Sequence, residues 1–355
     1  MPSLTNKSSR VLVRNIYHML AYAYHALRHK DYANIQSENF DYVHDMFAAI
    51  LVKGIAGQLK RGLHREYIEQ EDKLSSLKGK IAVTESIRLK IRRDNRLACR
   101  YDDLSENVYM NRILKSAALM LAQSEEVKQE NRKALKKSLR CFPEIEEINP
   151  SAIDWRILNY NRNNAAYRML MNVCRLALQN LLPSENPGNQ KLAVFDDDQV
   201  FSKLYEKFLL EYYKKHFPQY NPASRQIKWD SEGTVERLPR MYSDVTLVSN
   251  SKKLIIEAKY YSRMMQTYRD AVTVRSAHLY QIYAYVRNEN KDSADQGQVT
   301  GALLYAKTDE SVIPNDEYIL GGNRFIIKTL DLNTPFNEID RQLRALVSGW
   351  GTQGD

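Results

Sequence analysis

Hydrophobic and polar positions along the chain predict a mainly helical first half. Apolar residues recur every three to four positions in Arg14–Leu27, Phe47–Leu59 and Ala165–Leu182, which is the spacing of amphipathic helices. Shorter apolar runs in Glu66–Val83 predict strands and turns, and residues 84–140 are predicted to be mainly helical. The first half is therefore expected to form an N-terminal, mainly helical domain that contains short strands.

In the second half, short apolar runs alternate with helical periodicity. The predicted elements are a helix at Val200–His216, strands around Ile227, Val245 and Ile255, a helix at Ala271–Arg287, strands at Ala302–Ala306 and Phe325–Leu332, and a helix at Phe336–Val347. Strands that alternate with helices predict a mixed sheet covered on both faces. The fold class predicted for the chain is therefore α+β, or mixed α/β.

A turn-rich segment separates the two halves. Residues 183–189 contain two prolines, a glycine and two asparagines, a composition typical of turns that interrupt helical periodicity. We therefore expect two domains, at residues 1–185 and 186–355.

Composition excludes several classes of protein. The chain has 355 residues, 43% of them hydrophobic, and no apolar run approaches the ~18 residues of a membrane span. The polar N-terminus lacks a signal-peptide pattern, so a cytoplasmic location without membrane contact is expected. Cys99, Cys141 and Cys174 lack the spacing of zinc or redox sites, so reduced structural thiols are expected. Because no G-x-x-x-x-G-K-[ST] motif occurs, this chain is not expected to bind a nucleotide.

Two predicted strands carry the most informative charged residues. The first begins with Asp244, and the second ends in Glu257-Ala258-Lys259, with a short polar turn between them. Because side chains two positions apart share one face of a strand, Glu257 and Lys259 must point to the same side. If the hairpin sets Asp244 beside Glu257, two carboxylates converge, which suits Mg²⁺ or Mn²⁺.

This set of residues predicts metal-dependent hydrolysis of a phosphodiester. Asp244 and Glu257 are the expected metal ligands, and Lys259 is expected to orient the attacking water and offset charge on the phosphate. The alternative is that these charged residues are simply solvated, since the spacing also occurs by chance. The apolar run Leu254–Ile256 favours catalysis, because it is typical of a buried strand and ends directly in the charged pair.

Three further residues are candidates for supporting roles. Gln281 and Tyr285 lie one turn apart on a common face of a predicted helix. Glu206 lies among core-facing neighbours in the helix at Val200–His216 and is a candidate additional acid. Each has an alternative: Gln281 and Tyr285 also fit an amphipathic helix with tyrosines at packing positions, and Glu206 also fits a solvated position.

Most of the excess positive charge lies away from this candidate site. The net charge is +9, and residues 1–150 hold 26 Lys or Arg against 19 Asp or Glu. The densest run consists of Arg88, Lys90, Arg92, Arg93, Arg96 and Arg100. Such a run fits contact with DNA or with an acidic partner protein, and a solvated helix or loop is the alternative. We name Arg14, Arg92, Arg93 and Arg96 as candidate contacts.

Several segments resemble known nucleases. Glu-x-Lys, followed about twenty residues later by Gln-x-x-x-Tyr, resembles the RecB-like branch of the PD-(D/E)xK nucleases. The segment Val13–Ala23 resembles the opening of the McrC family, the nuclease subunits of McrBC modification-dependent restriction systems. Further similarity to that family lies in Leu77–Ile81, in Asn107–Leu114 and in Leu238–Met241, so it spans nearly the whole chain. Glu257 stands where the family pattern has aspartate, and both acids bind metal.

The resemblance implies a function. It implies a restriction-endonuclease-like C-terminal domain in which Asp244, Glu257 and Lys259 cleave methylcytosine-containing double-stranded DNA with Mg²⁺. It also implies that residues 1–185 bind a hexameric AAA+ GTPase of the McrB type, which carries the GTP, and stimulate its hydrolysis. Cleavage of both strands predicts self-association of nuclease domains. Two other functions stay open: a stand-alone RecB-like repair nuclease, and a non-catalytic activator of an AAA+ GTPase.

Overall fold

The computed structural model divides the chain into two compact units. It describes residues 6–24, 27, 32, 35, 38, 40–181, 199–233, 236–250, 252–260, 265–268, 271–290, 299–307 and 314–351. The central unit is Phe47–Leu181, and the terminal unit combines Met1–Met46 with Leu182–Asp355. The sequence predicts one division near residue 185, whereas these units place residues 1–46 with the C-terminal part. The turn-rich segment at 183–189 lies outside the described residues.

Helices and strands follow one another along both units. The helices are α1 (Asn6–Ala23), α2 (Val43–Arg61), α3 (Val83–Ile91), α4 (Tyr109–Gln123), α5 (Gln129–Leu139), α6 (Tyr167–Leu181), α7 (Gln199–His216), α8 (Ser276–Glu289) and α9 (Phe336–Gly351). The strands are β1 (Glu66–Leu74), β2 (Lys80–Ile81), β3 (Leu97–Ser105), β4 (Gln226–Ile227), β5 (Met241–Tyr242), β6 (Val245–Ser249), β7 (Lys252–Lys259), β8 (Met265–Tyr268), β9 (Ala271–Val274), β10 (Val299–Ala306), β11 (Asp316–Leu320) and β12 (Asn323–Leu330).

The central unit contains a small antiparallel sheet among its helices. Residues 84–140 are mainly helical, as predicted, with α3, α4 and α5, and β3 lies between α3 and α4 and pairs along its whole length with β1. Arg100 and Cys99 of β3 also pair with Lys80 and Ile81 of β2. β3 therefore has a partner along its whole length on one side and for two residues on the other, and its mixture of buried and exposed side chains shows no strong strand pattern in the sequence.

A buried polar network holds the helices of the central unit. The Asn111 amide nitrogen donates hydrogen bonds to the carbonyl oxygens of His64 and Glu106, both at 2.8 Å. Its Oδ1 accepts a hydrogen bond of 2.7 Å from the Tyr167 hydroxyl, which itself accepts one from the His64 backbone N–H at 3.0 Å. Asn111 is fully buried, so each of these polar groups depends on the others for a partner.

Replacing Tyr167 by phenylalanine is expected to lower the free energy of unfolding of this unit by about 1–3 kcal/mol, because it leaves buried polar atoms without a partner. Denaturant unfolding followed by circular dichroism would measure the loss. Tyr101→Phe is the matched control, since the Tyr101 hydroxyl donates to Asp72 at an exposed site and its removal should cost less than about 0.5 kcal/mol. Equal losses in the two variants would contradict the role given to the buried network.

The terminal unit is built around a five-stranded mixed sheet. Its strand order is β11-β12-β10-β7-β6. β10 runs parallel to both β7 and β12, whereas β6 and β11 are antiparallel to their neighbours. A mixed sheet flanked by helices, with a mainly helical region before it, confirms the predicted fold class.

Helices cover both faces of the interior strand β7. On one face Ile255 belongs to a buried cluster with Ile282, Tyr285 and Val286 of α8. On the other side, the ring of Tyr260, which follows β7, stacks on Phe201 of α7 with 5.8 Å between centroids. Burial on both faces explains the continuous apolar run that precedes Glu257.

Glycine allows α8 to approach the sheet closely. A Cβ at Gly301 of β10 would lie 2.8 Å from Val286 Cγ2 and 2.9 Å from Ile282 Cγ1, shorter than real side-chain contacts. Any larger residue would push the helix away from β10. The missing side chain at Gly301 therefore sets the distance between α8 and the sheet, and with it the position of the α8 side chains over the neighbouring strand β7.

Two predicted helices have different limits in the structure. The first helix, predicted at Arg14–Leu27, is Asn6–Ala23, and the helix predicted from Ala271 starts at Ser276. Residues Ala271–Val274 instead form β9, which pairs with β8. The β-branched run Val272-Thr273-Val274 favours a strand, because such side chains lose rotamer freedom in a helix.

The helices and the cysteines can also be compared with the sequence analysis. Within the described part of the chain, no helix combines the length and the apolar character needed to span a bilayer. Cys99 and Cys174 are buried, Cys141 is exposed, and all three are free.

Candidate active site

Asp244 lies at a bend directly before β6. Val245 pairs with Ile256 in the antiparallel ladder, so the register places Asp244 beside Glu257, which is the arrangement that convergence of the two carboxylates requires. Asp244 Oδ2 accepts a 2.8 Å hydrogen bond from the backbone N–H of Ala258. This bond ties the carboxylate to the strand that carries the other charged residues.

Small hydroxyl groups support the bend. The hydroxyls of Ser243 and Thr246 are 2.7 Å apart, and Ser243 Oγ also accepts a hydrogen bond from the Arg225 backbone N–H at 3.2 Å. Ser243 and Thr246 are both buried. Because these contacts lie on either side of Asp244 and Val245, they restrain the direction of the Asp244 side chain.

Glu257 and Lys259 form a buried ion pair on one face of β7. Lys259 Nζ lies 2.8 Å from Glu257 Oε1, and the side chains are 9% and 5% exposed, respectively. Burying two charges is costly unless they are paired and hydrogen-bonded, so the surrounding structure must hold this pair in place.

Helix α8 supplies further partners to the pair. The Gln281 amide nitrogen donates to Glu257 Oε1 at 2.7 Å and to the Tyr285 hydroxyl at 2.9 Å. Its Oε1 accepts a 2.9 Å hydrogen bond from Lys259 Nζ. Gln281 thus bridges the acid, the lysine and Tyr285. The structure brings these residues together with Asp244, and we call the five the candidate cluster.

Glu206 approaches the cluster from α7. It is half-buried, and its Oε1 accepts a 3.1 Å hydrogen bond from the hydroxyl of Ser202, one turn earlier on the helix. Burial raises the pKa of Glu206, while the charge of Lys259 acts in the opposite direction. The carboxyl group is therefore close enough to the cluster to influence its electrostatics.

Burial and mutual repulsion perturb the acids of the cluster. Burial, followed by the negative charges of Glu257 and Glu206, raises the pKa of Asp244 to about 8. Burial also raises the pKa of Glu257, and the positive charge of Lys259 opposes this shift. Three carboxyl groups that repel one another are the environment that a cation would stabilise.

One oxygen of the cluster supports the same conclusion. Glu257 Oε2 is buried and has no hydrogen-bond partner among the described residues. A buried acceptor without a partner is costly, so it marks a position where a ligand would be favourable. Oxygen donors such as Asp244 and Glu257 suit hard cations, although the described residues contain no group of three or more His, Cys, Asp or Glu side chains that could hold a metal.

The pKa shift of Asp244 predicts how stability depends on pH without metal. The folded chain holds this proton up to about pH 8, whereas in the unfolded chain the ordinary value is 3.8. The protonated carboxyl therefore stabilises the fold fully below pH 3.8, and this contribution is lost as the pH rises through 8. Unfolding free energy, measured with urea and a chelator, should fall by at most about 1.4 kcal/mol per pH unit from this group.

Asp244→Asn is the matched control for this dependence, because asparagine keeps the shape and carries no titratable proton. Its free energy of unfolding should fall less steeply between pH 5 and 8 than that of the unmodified chain. Parallel pH profiles would show that Asp244 titrates normally.

The candidate arginines lie in two different parts of the chain. Arg14 is exposed on α1, and Arg92 and Arg93 are exposed at the turn that follows α3. Arg96 forms an exposed ion pair of 2.7 Å with Asp94. The basic run from Arg88 to Arg100 therefore covers the end of α3, a turn and the start of β3. Contact of the candidate arginines with DNA or a partner stays a prediction.

Sequence reasoning did not single out His278 and Tyr305. His278 Nδ1 lies 2.9 Å from the Tyr305 hydroxyl, and both side chains are buried. Tyr305 is in register with Lys259 across the parallel ladder. The signal available in the sequence was the position of His278 three residues before Gln281, which places it on the same helix face.

Comparison with known proteins identifies a family for the chain. The chain matches the family described as McrBC 5-methylcytosine restriction system component over residues 2–306. It is 27% identical over 336 residues to the Type IV methyl-directed restriction enzyme EcoKMcrBC of Escherichia coli (strain K12), across 93% of this chain and 95% of that protein.

Two solved structures from Thermococcus gammatolerans are also similar. One is a refined half-complex from a tetradecameric assembly of McrB AAA+ hexamers with bound McrC, with 18% identity, 95% of this chain and 75% of that chain covered, and a TM-score of 0.49. The other is a cryo-EM structure of the McrBC complex, with 21% identity, 60% of each chain covered, and a TM-score of 0.41. Since the family match extends over most of its length, the chain belongs to the family of McrBC 5-methylcytosine restriction system components.

Proposed function

We propose that this chain is the DNA-cleaving subunit of a GTP-dependent restriction system and hydrolyses phosphodiester bonds in DNA that contains methylcytosine. The observation that carries the proposal is the buried, hydrogen-bonded cluster of Asp244, Glu257, Lys259 and Gln281. Membership of the McrBC family supports the substrate class. Burying these charged groups costs free energy of folding, so a functional role is a physical reason for the cluster, and its chemistry suits phosphodiester hydrolysis.

Asp244 and Glu257 would hold Mg²⁺, or Mn²⁺ in its place. Mg²⁺ is usually bound through one or two carboxylates and keeps several waters, so two protein ligands are sufficient. When bound, the ion supplies Lewis-acid polarisation of the phosphate and lowers the pKa of a bound water. The buried Glu257 Oε2 and the repulsion among the acids support this assignment.

Within the Glu257–Lys259 pair, Lys259 would act on the water and the phosphate. Its ammonium group would orient the attacking water and offset the negative charge that develops on the phosphate. Gln281 keeps Lys259 and Glu257 aligned, because one amide group binds both of them. Glu206 would add negative charge near the metal ligands, which favours cation binding.

The chain would work with a GTP-hydrolysing AAA+ partner of the McrB type. Family membership as a system component and the absence of a P-loop motif from the sequence support a division of labour, in which the partner binds GTP. Residues 1–185 would bind this partner and stimulate its hydrolysis, with Arg14, Arg92, Arg93 and Arg96 as candidate contacts. The described residues of the chain form one such cluster, so cutting both strands of DNA would need two nuclease domains together.

A cleavage assay tests the proposal. Methylated and unmethylated plasmids are incubated with the chain, Mg²⁺, the AAA+ partner and GTP, and each component is omitted in turn. Cleavage should require methylation, partner, GTP and Mg²⁺, and Asp244→Asn should abolish it. Cleavage by the chain alone would favour a stand-alone nuclease. Activity that survives Asp244→Asn would leave the chain as an activator of its partner.

A further inference from the structure

Helix α8 makes a second buried polar contact with the sheet, one turn before Gln281. His278 Nδ1 and the Tyr305 hydroxyl are 2.9 Å apart, and the two side chains are 8% and 0% exposed, respectively. Tyr305 lies in β10 at the position that is in register with Lys259 of β7. The contact therefore joins α8 to the sheet beside the catalytic lysine.

The two contacts of α8 lie on either side of Lys259. Tyr305 is in register with Lys259 on the neighbouring strand and is hydrogen-bonded to His278. Gln281, one turn after His278 on α8, accepts a 2.9 Å hydrogen bond from Lys259. A displacement of the first turn of α8 would move Gln281 away from both Lys259 and Glu257. We propose that the His278–Tyr305 hydrogen bond positions Gln281, and through it the Glu257–Lys259 pair, for phosphodiester hydrolysis.

Apolar packing alone would not position the helix in this way. Ile282 and Val286 of α8 pack against Gly301 and Phe325, and such contacts are non-directional, so they tolerate small rotations and slides. A buried hydrogen bond requires a defined distance and angle. Active sites need their groups placed within about 0.5 Å. A directional hydrogen bond beside Lys259 can fix the position of α8 to this precision, whereas apolar packing cannot.

The electrostatics of His278 are compatible with this role. Burial, followed by the positive charges of Lys259 and Arg275, lowers the pKa of His278 to about 4. A neutral imidazole at neutral pH adds no positive charge beside Lys259, and it can donate or accept at Nδ1 according to its tautomer. His278 thus acts as a positioning residue, together with Tyr305, and this inference rests on the proposed function.

The test compares Tyr305→Phe with the unmodified chain in the complete system, with partner, GTP, Mg²⁺ and methylated DNA. Removing one hydroxyl should lower kcat by roughly ten- to a hundredfold and leave KM for DNA unchanged, because positioning and not DNA binding is affected. Tyr213→Phe is the matched control, since it removes a buried hydroxyl of the same unit that bonds to Leu343 O at 3.4 Å. It should cleave within about twofold of the unmodified chain.

A second measurement does not depend on activity. Hydrogen–deuterium exchange of the metal-free chain should show faster exchange in peptides covering Ser276–Glu289 for Tyr305→Phe, but not for Tyr213→Phe. In addition, the double variant His278→Leu/Tyr305→Phe should be no slower than the slower single variant, because both changes break one contact.

The outcomes separate this inference from the proposed function. Lys259→Ala is included in the same series. Normal cleavage and normal exchange in Tyr305→Phe, with an inactive Lys259→Ala, would overturn the positioning role alone. Losses that multiply in the double variant would also overturn it, and would give His278 a direct role at the substrate. Full cleavage by Lys259→Ala would remove the proposed function and the positioning role together.

Discussion

Replacing Lys259 by alanine is expected to lower the rate of DNA cleavage by about 10²- to 10³-fold, the effect of removing one group that stabilises charge in a transition state. The lysine is 9% exposed and is held by Glu257 and Gln281, so its ammonium group is oriented before substrate arrives. Single-turnover cleavage of methylated plasmid, with partner and GTP present, would measure the loss. Partner-stimulated GTP hydrolysis should stay within about twofold of normal, because that activity is proposed to depend on residues 1–185.

Lys253→Ala is the matched control for this experiment. Lys253 lies six residues earlier on the same strand, and therefore on the same face, and its ammonium group pairs with Glu289 of α8 at 2.7 Å. The control removes an equal charge and a helix contact from the same strand, but at the other end of α8 from Gln281. Cleavage within about twofold of normal is expected. Similar losses in both variants would attribute the effect to the contact between strand and helix, and would contradict the catalytic role of Lys259.

The N-terminal helix is expected to be essential for the stability of the terminal unit. Leu20 of α1 is fully buried, and α1 packs against α7, the helix that carries Glu206. Asn15 also donates hydrogen bonds to the carbonyl oxygens of Leu332 and Thr334, at 2.7 and 2.8 Å, at the end of the sheet. Leu20→Ala should therefore lower the free energy of unfolding by about 3 kcal/mol, through lost burial and the cavity left behind.

Thermal unfolding would detect this change as a fall in Tm of roughly 6–12 °C. Arg14→Ala is the matched control, because Arg14 is exposed on the same helix and its removal should change Tm by less than about 2 °C. The control also tests the predicted partner contact of Arg14 without a change in folding. A fragment that starts at residue 186 lacks α1, and we expect it not to fold stably. A stable fragment with a cooperative unfolding transition would contradict the conclusion that α1 is essential for the stability of the terminal unit.

Local periodicity was sufficient to predict the centre of the candidate site. Glu257 and Lys259 share a face because they are two residues apart on a strand, and Gln281 and Tyr285 share a face because they are four apart on a helix. The structure adds the contact between these two faces, in the form of the hydrogen bonds of Gln281. The structure also supplies the register that sets Asp244 beside Glu257, which the sequence left as a condition.

Other features needed information that a local pattern does not contain. β3 mixes buried and exposed side chains, and its conformation depends on pairing with β1 along its length and with β2 at two residues. For this strand, helix or strand propensity by itself is too weak to decide the conformation. The region before α8 forms β9 because its β-branched run pairs with the neighbouring strand β8.

By itself, the sequence determined the mixed α/β fold class and the residues of the candidate site, because strand and helix periods act over a few neighbouring positions. Only the tertiary structure decided that residues 1–46 join the C-terminal part, that Gly301 allows α8 to approach the sheet, and that His278 meets Tyr305. The physical reason is that these contacts join residues distant in sequence, and their energies depend on packing and burial that arise once the chain is folded.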